Sequence, residues 1–129
     1  MDIKRRDFLV AMPVVFSLFN TFGCNSVSGK ENMYGLIGKL IAAEGKRDEL
    51  IKILLESVNE MPGCLSYIVA KDTTDANAIW ITEVWENQES HKKSLSLPVV
   101  QNAIKKGKLL IAGFDSQTVI EPVGGHGLK

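Results

Sequence analysis

The chain is poor in several things that would have identified it early. It has no excess charge of either sign: 15 basic side chains balance 15 acidic ones. Without a basic excess there is little to neutralise a run of phosphates, which argues against a nucleic-acid partner. Histidine and cysteine are scarce, two of each, with no Cys-x-x-Cys pair and no clustered histidines. No metal site is therefore assigned; a cluster of His91, His126 and Glu83 has no ligand spacing behind it. Long apolar runs are also missing. The run from Phe8 to Phe19 contains Pro13 and Ser17, and it falls short of the ~20 residues a membrane-spanning helix needs. What remains is ordinary globular material. At 45% hydrophobic and 23% charged, the composition is that of one folded domain.

Lys4-Arg5-Arg6 precedes the apolar run. A positive segment ahead of a short uncharged one is the arrangement of an export signal. Arg5-Arg6-Asp7-Phe8-Leu9 resembles a twin-arginine signal. Thr21-Phe22-Gly23-Cys24 resembles a lipoprotein cleavage box, with Thr21 where leucine is usual, so Cys24 is a candidate for lipidation. Residues 1–31 are read as export signal and tether, residues 32–123 as the working domain, and residues 124–129 as a glycine-rich tail. The expected location is the periplasm or cell envelope, with or without a lipid anchor. Removing residues 1–24 takes away three basic and two acidic side chains, leaving 12 and 13, so near-neutrality survives.

Alternation predicts a strand from Met33 to Ala42, with Gly38 allowing close approach of a backbone or a ligand. An apolar stripe through Leu50, Leu54, Val58 and Met61 predicts a helix over Gly45 to Met61, stopped by Pro62-Gly63. Cys64 to Lys71 and Ala78 to Trp85 read as an antiparallel pair of strands. On the first, Leu65, Tyr67 and Val69 would share a face; on the second, Ile79, Ile81, Glu83 and Trp85 would. Asn87 can cap a short helix to Leu95. Pro98 stands at the start of a second helical piece, Val99 to Lys106, with Gly107 as its stop. Phe114 to Glu121 is the last strand. The order strand, helix, strand, strand, helix, strand gives an α+β, ferredoxin-like βαββαβ fold, a four-stranded antiparallel sheet with helices on one face. A small domain with one sheet face bare, and Trp80 or Trp85 on it, needs a cover. A second copy supplies it most simply, so a homodimer is expected.

Met61-Pro62-Gly63-Cys64 and Glu83-Val84-Trp85-Glu86-Asn87-Gln88-Glu89-Ser90, set in this element order, resemble the antibiotic biosynthesis monooxygenase (ABM) family of dimeric α+β barrels. His91 to Pro98 and the ending Gly124-Gly125-His126-Gly127-Leu128 resemble its quinol monooxygenase branch. The resemblance implies a homodimer that oxidises a quinol-like or polycyclic phenolic small molecule with molecular oxygen and no cofactor. A non-catalytic ligand-binding module of the cell envelope is the alternative from another class. Haem degradation is a further one, disfavoured because the family's asparagine falls near Gly38 and its histidine near Ile104.

Candidate residues follow. His91 is the leading acid/base group because its ordinary pKa of about 6.5 suits proton transfer near neutrality. Glu83 shares a strand face with Trp85. It would be catalytic if buried, or merely salt-bridged to Lys39 or Lys71. Trp85, Tyr67, Ser94 and His126 are candidate substrate contacts. Cys64 is expected to be a small buried thiol.

Overall fold

A computed structural model describes residues 32–128. The export signal expected over residues 1–31, including Cys24, lies outside the described residues, as does Lys129. The elements run β1 (Tyr34–Ala42), α1 (Arg47–Glu56), a 3-10 turn (Val58–Glu60), β2 (Cys64–Lys71), β3 (Ala78–Trp85), α2 (Gln88–Ser94), α3 (Pro98–Gly107) and β4 (Ile111–Ile120). Every strand pairing is antiparallel, in the order β2-β3-β1-β4. This is the expected ferredoxin-like α+β fold, with its second helical region split where Pro98 starts α3.

Three boundaries differ from expectation by more than one residue, each for a local reason. Gly45 adopts a φ of 75° and belongs to the turn before α1 rather than to the helix. At the other end Ser57 is buried, and its hydroxyl donates back to the Leu54 carbonyl at 3.3 Å. Such local bonds compete with helix continuation, and the chain tightens into the 3-10 turn before Met61. β4 begins at Ile111, before Phe114. Gly113 sits opposite Ile41 between two register shifts, where a bulge tolerates glycine.

A register shift between Cys64 and Ser66 also changes β2. It sets Cys64 opposite Trp85, and Cys64 packs there in the place strict alternation gave to Leu65. Gly107 ends α3 as expected, and it is buried as well. A Cβ there would stand 3.3 Å from Leu50 Cδ1, so the glycine also lets α1 and α3 approach closely.

The helices cover one sheet face, and the core between them has two parts. Leu40, Ala42, Leu50, Ile79 and Ile111 pack at one end; Tyr34, Leu36 and Trp85 pack at the other. The opposite sheet face carries Trp80, Thr82 and Val84 of β3 and Ile37, Lys39 and Ile41 of β1. There Trp80 Nε1 donates to Asp72 Oδ2 at 2.8 Å, and Lys39 Nζ lies 5.4 Å from the centre of the Trp80 ring. Ile68 of the same face is 55% exposed. The expectation left open which tryptophan occupies the bare face; it is Trp80, while Trp85 lies beneath the helices.

Candidate active site

The two halves of the core part where the apolar stripes of the central strands are interrupted. On β3 the stripe Ile79, Ile81, Glu83, Trp85 is broken by a carboxyl. On β1 the stripe Tyr34, Leu36, Gly38, Leu40 is broken by a missing side chain. The register sets Glu83 opposite Leu36 and Ile81 opposite Gly38, so the interruptions lie in adjacent rows of the sheet. Beside them opens a cavity of about 150 Å³, lined there by Leu36, Leu40, Ile81 and Glu83. Its floor includes Tyr67, Glu83 and Trp85. Its roof is Leu50 and Leu54 of α1, His91 and Ser94 of α2, and Val100 and Ile104 of α3. Gln117 is the exposed member of the lining and marks the rim.

Asn87 places α2. Its side chain accepts the Ser90 N–H at 2.8 Å, the cap expected from sequence. The helix then turns His91 and Ser94, three residues apart and both buried, toward the cavity. The His91 ring lies 5.2 Å from Tyr34 and 5.4 Å, edge-on, from Trp85, centre to centre. Ser94 Oγ donates to the His91 carbonyl at 2.6 Å, so its hydroxyl serves the helix.

Glu83 makes no salt bridge with the two cations considered for it. Lys39 pairs with Asp72 and Asp115, at 3.8 and 3.6 Å, and Lys71 with Asp48 at 2.8 Å. Its Oε1 accepts the Trp85 Nε1–H at 3.1 Å. Desolvation disfavours its charged form and raises its pKa to about 7, against the smaller opposing pull of the Trp85 hydrogen bond. Burial acts oppositely on a base and takes His91 down to about 4. Tyr34 is pushed up to about 12, first by burial and then by the Glu83 charge. Burial and the same charge also raise Tyr67 and Cys64, the latter against its bond to the Ser66 carbonyl. At neutral pH the imidazole is thus uncharged and the carboxyl is near its midpoint. The ordinary pKa in water favours His91 as the proton carrier, but in the folded chain Glu83 is the group brought near pH 7.

Five expected site residues, Glu83, Trp85, His91, Tyr67 and Ser94, line the one cavity. His126 is exposed in the tail and is not part of the lining. Sequence reasoning did not single out Tyr34 or Gln117. Tyr34 shares the face of Leu36 and Leu40 by simple alternation, a signal that was available. Gln117 reaches the rim through the β4 register shift, which was not.

Comparison with known proteins agrees with this architecture. The profile of the family described as antibiotic biosynthesis monooxygenase matches residues 33–106. A crystal structure from Chloroflexus aurantiacus J-10-fl, named for that family, is 61% identical and superposes with a TM-score of 0.73, covering 75% of this chain and 99% of that one. One from Caulobacter crescentus CB15 is 19% identical, with a TM-score of 0.66 over 74% of this chain and 93% of that one. It shares the fold. An uncharacterised Synechocystis protein is 25% identical over 101 residues, 76% of this chain and 69% of its own length. The chain belongs to the antibiotic biosynthesis monooxygenase family.

Proposed function

We propose that the protein is a cofactor-independent monooxygenase acting on a quinol-like or polycyclic phenol. The observation that carries this reading is a half-buried carboxyl lining a largely apolar cavity under the helices, where desolvation raises its pKa to about 7. A pocket without titratable groups would favour a passive binding module; Glu83 and His91 both line this one. Haem degradation gains no support, since Gly38 has no side chain to offer and Ile104 lines the roof.

Glu83 takes the proton from a substrate hydroxyl, and its pKa near the working pH suits that transfer. The phenolate passes one electron to oxygen, and the resulting radicals join to form a carbon–oxygen bond. Loss of water then leaves a carbonyl. For a hydroquinone the balance is one quinol and one O2 giving one hydroxyquinone and one water. Trp85 steadies the carboxylate, while neutral His91, Tyr34 and the apolar roof exclude water. The test is oxygen uptake with a panel of hydroquinols. Consumption above the autoxidation rate, one O2 per quinol, is the expected result; a rate equal to autoxidation for the whole panel overturns the reading.

The functional unit in this proposal is a homodimer formed through the bare sheet face, where Trp80 and the exposed Ile68 need cover. Sedimentation at micromolar concentration should give twice the chain mass, and a monomer would defeat the idea. Export belongs to the same proposal, resting on Lys4-Arg5-Arg6 and the apolar run behind it. N-terminal sequencing of the mature protein should miss Met1; finding it intact would contradict export.

A further inference from the structure

We propose that the cavity admits a single aromatic ring, so that the substrate is a one-ring hydroquinone, and that Gly38 sets this limit. The inference rests on the reading of the cavity as a quinol site.

The first observation is size. The cavity measures about 150 Å³, and an engineered apolar cavity of about 150 Å³ in another protein holds one benzene. Fused two- and three-ring phenols exceed that space.

The second is how the rows of the sheet divide it. Glu83 lies in the row of Tyr67 and Leu36. The next row is Ile81, Gly38 and Gln117, and the one after is Ile79, Leu40 and Phe114. Rows on one face are two residues apart, ~7 Å, close to the length of one phenolic ring with its hydroxyl. A ring whose hydroxyl meets Glu83 therefore ends in the next row, where Ile81 and Gln117 line the cavity on either side of Gly38. Beyond it Leu40 and Ile79, 2% and 0% exposed, are locked in core packing with Leu50 and Ile111. At the other end Trp85 is 1% exposed. A second fused ring would have to displace one of these walls. A flexible substituent has an exit, because Gln117 at the rim is the direct partner of Gly38.

The third is that the fold does not demand glycine at 38. Its φ is not positive, and a Cβ there would meet only Ser116 O at 3.7 Å and Phe114 Cε1 at 3.8 Å, ordinary contacts. Gly35, on the other face of the same strand, is different: its Cβ would stand 2.8 Å from Ile120 Cγ1 and 2.9 Å from Pro122 Cγ. Glycine weakens a strand interior. At 35 close packing explains it; at 38 the one side chain a Cβ would meet is Phe114, which lines the cavity.

Calorimetric titration of the full chain tests this, run without oxygen, using hydroquinone, methylhydroquinone, 1,4-naphthohydroquinone and 9,10-anthrahydroquinone, followed by admission of air. One-ring diols should bind saturably, with the naphthalene diol about tenfold weaker or worse. Gly38→Ala, checked for folding by circular dichroism, should lose about tenfold more affinity for methylhydroquinone than for hydroquinone. Fused diols binding as tightly as one-ring diols overturn the limit, and their turnover in air would leave the monooxygenase reading standing. One-ring binding without enzymatic oxygen uptake keeps the limit and overturns the monooxygenase reading. Absence of binding by every diol overturns both. Equal losses for the two one-ring diols in Gly38→Ala remove Gly38 from the account.

Discussion

Glu83→Gln is expected to lower quinol-dependent oxygen uptake by about 10²- to 10⁴-fold, the usual worth of a positioned general base, while making the protein more stable in alkali. The two effects share one cause. Burial raises the Glu83 pKa from 4.5 to about 7. A carboxyl whose folded pKa is raised binds its proton more tightly in the native state, so its cost to stability is absent below pH 4.5. That cost grows as pH rises and is complete above about 7. The shift corresponds to about 3 kcal/mol, which glutamine, unable to ionise, would recover. Glutamine keeps an oxygen for the Trp85 Nε1–H, so the change is nearly isosteric. Urea denaturation at pH 5 and pH 8.5 measures it: the variant should gain clearly at the higher pH and little at the lower. An equal gain at both, or retained activity, would remove Glu83 from the role given to it.

The second large effect concerns Trp85, which is 1% exposed beside His91 and Cys64. Truncation to alanine leaves a cavity expected to cost about 3–5 kcal/mol, against a total stability of about 5–15 kcal/mol for a domain of ordinary stability. Thermal melting should show a large loss or no folded protein. Trp85→Phe retains most of the packing and removes only the Nε1–H that Glu83 Oε1 accepts. That donor favours the carboxylate, so its loss should raise the Glu83 pKa further and move the acid limb of the activity–pH profile to higher pH. An unmoved limb in a folded Trp85→Phe protein would show that Glu83 does not govern the rate.

Much of this arrangement was legible in the sequence, where residues speak locally. Alternation set β2 and β3 to their observed ends, Asn87 and Pro98 announced their helices, and spacing of three put His91 and Ser94 on one face. The misses belong to longer-range causes. The last strand begins three residues ahead of Phe114 because a bulge lets Gly113 pair with Ile41, and Leu65 lost its place to Cys64 through another register shift. Which group titrates near neutrality was the least legible point. It depends on how much protein surrounds Glu83 and His91 together, and that burial is assembled from α1, α2, α3 and the sheet at once.

The opposite shifts of these two groups have a consequence for protonation during folding. Between about pH 4.5 and 6.5 the unfolded chain carries the pair as imidazolium and carboxylate, while the native chain carries it as imidazole and carboxylic acid. Folding therefore moves one proton from nitrogen to oxygen, with no net uptake or release by the pair in that window. A zwitterion in the random chain becomes a neutral couple facing the cavity. As pH rises through 7, the first charge this couple acquires is the carboxylate that can receive a phenol's proton.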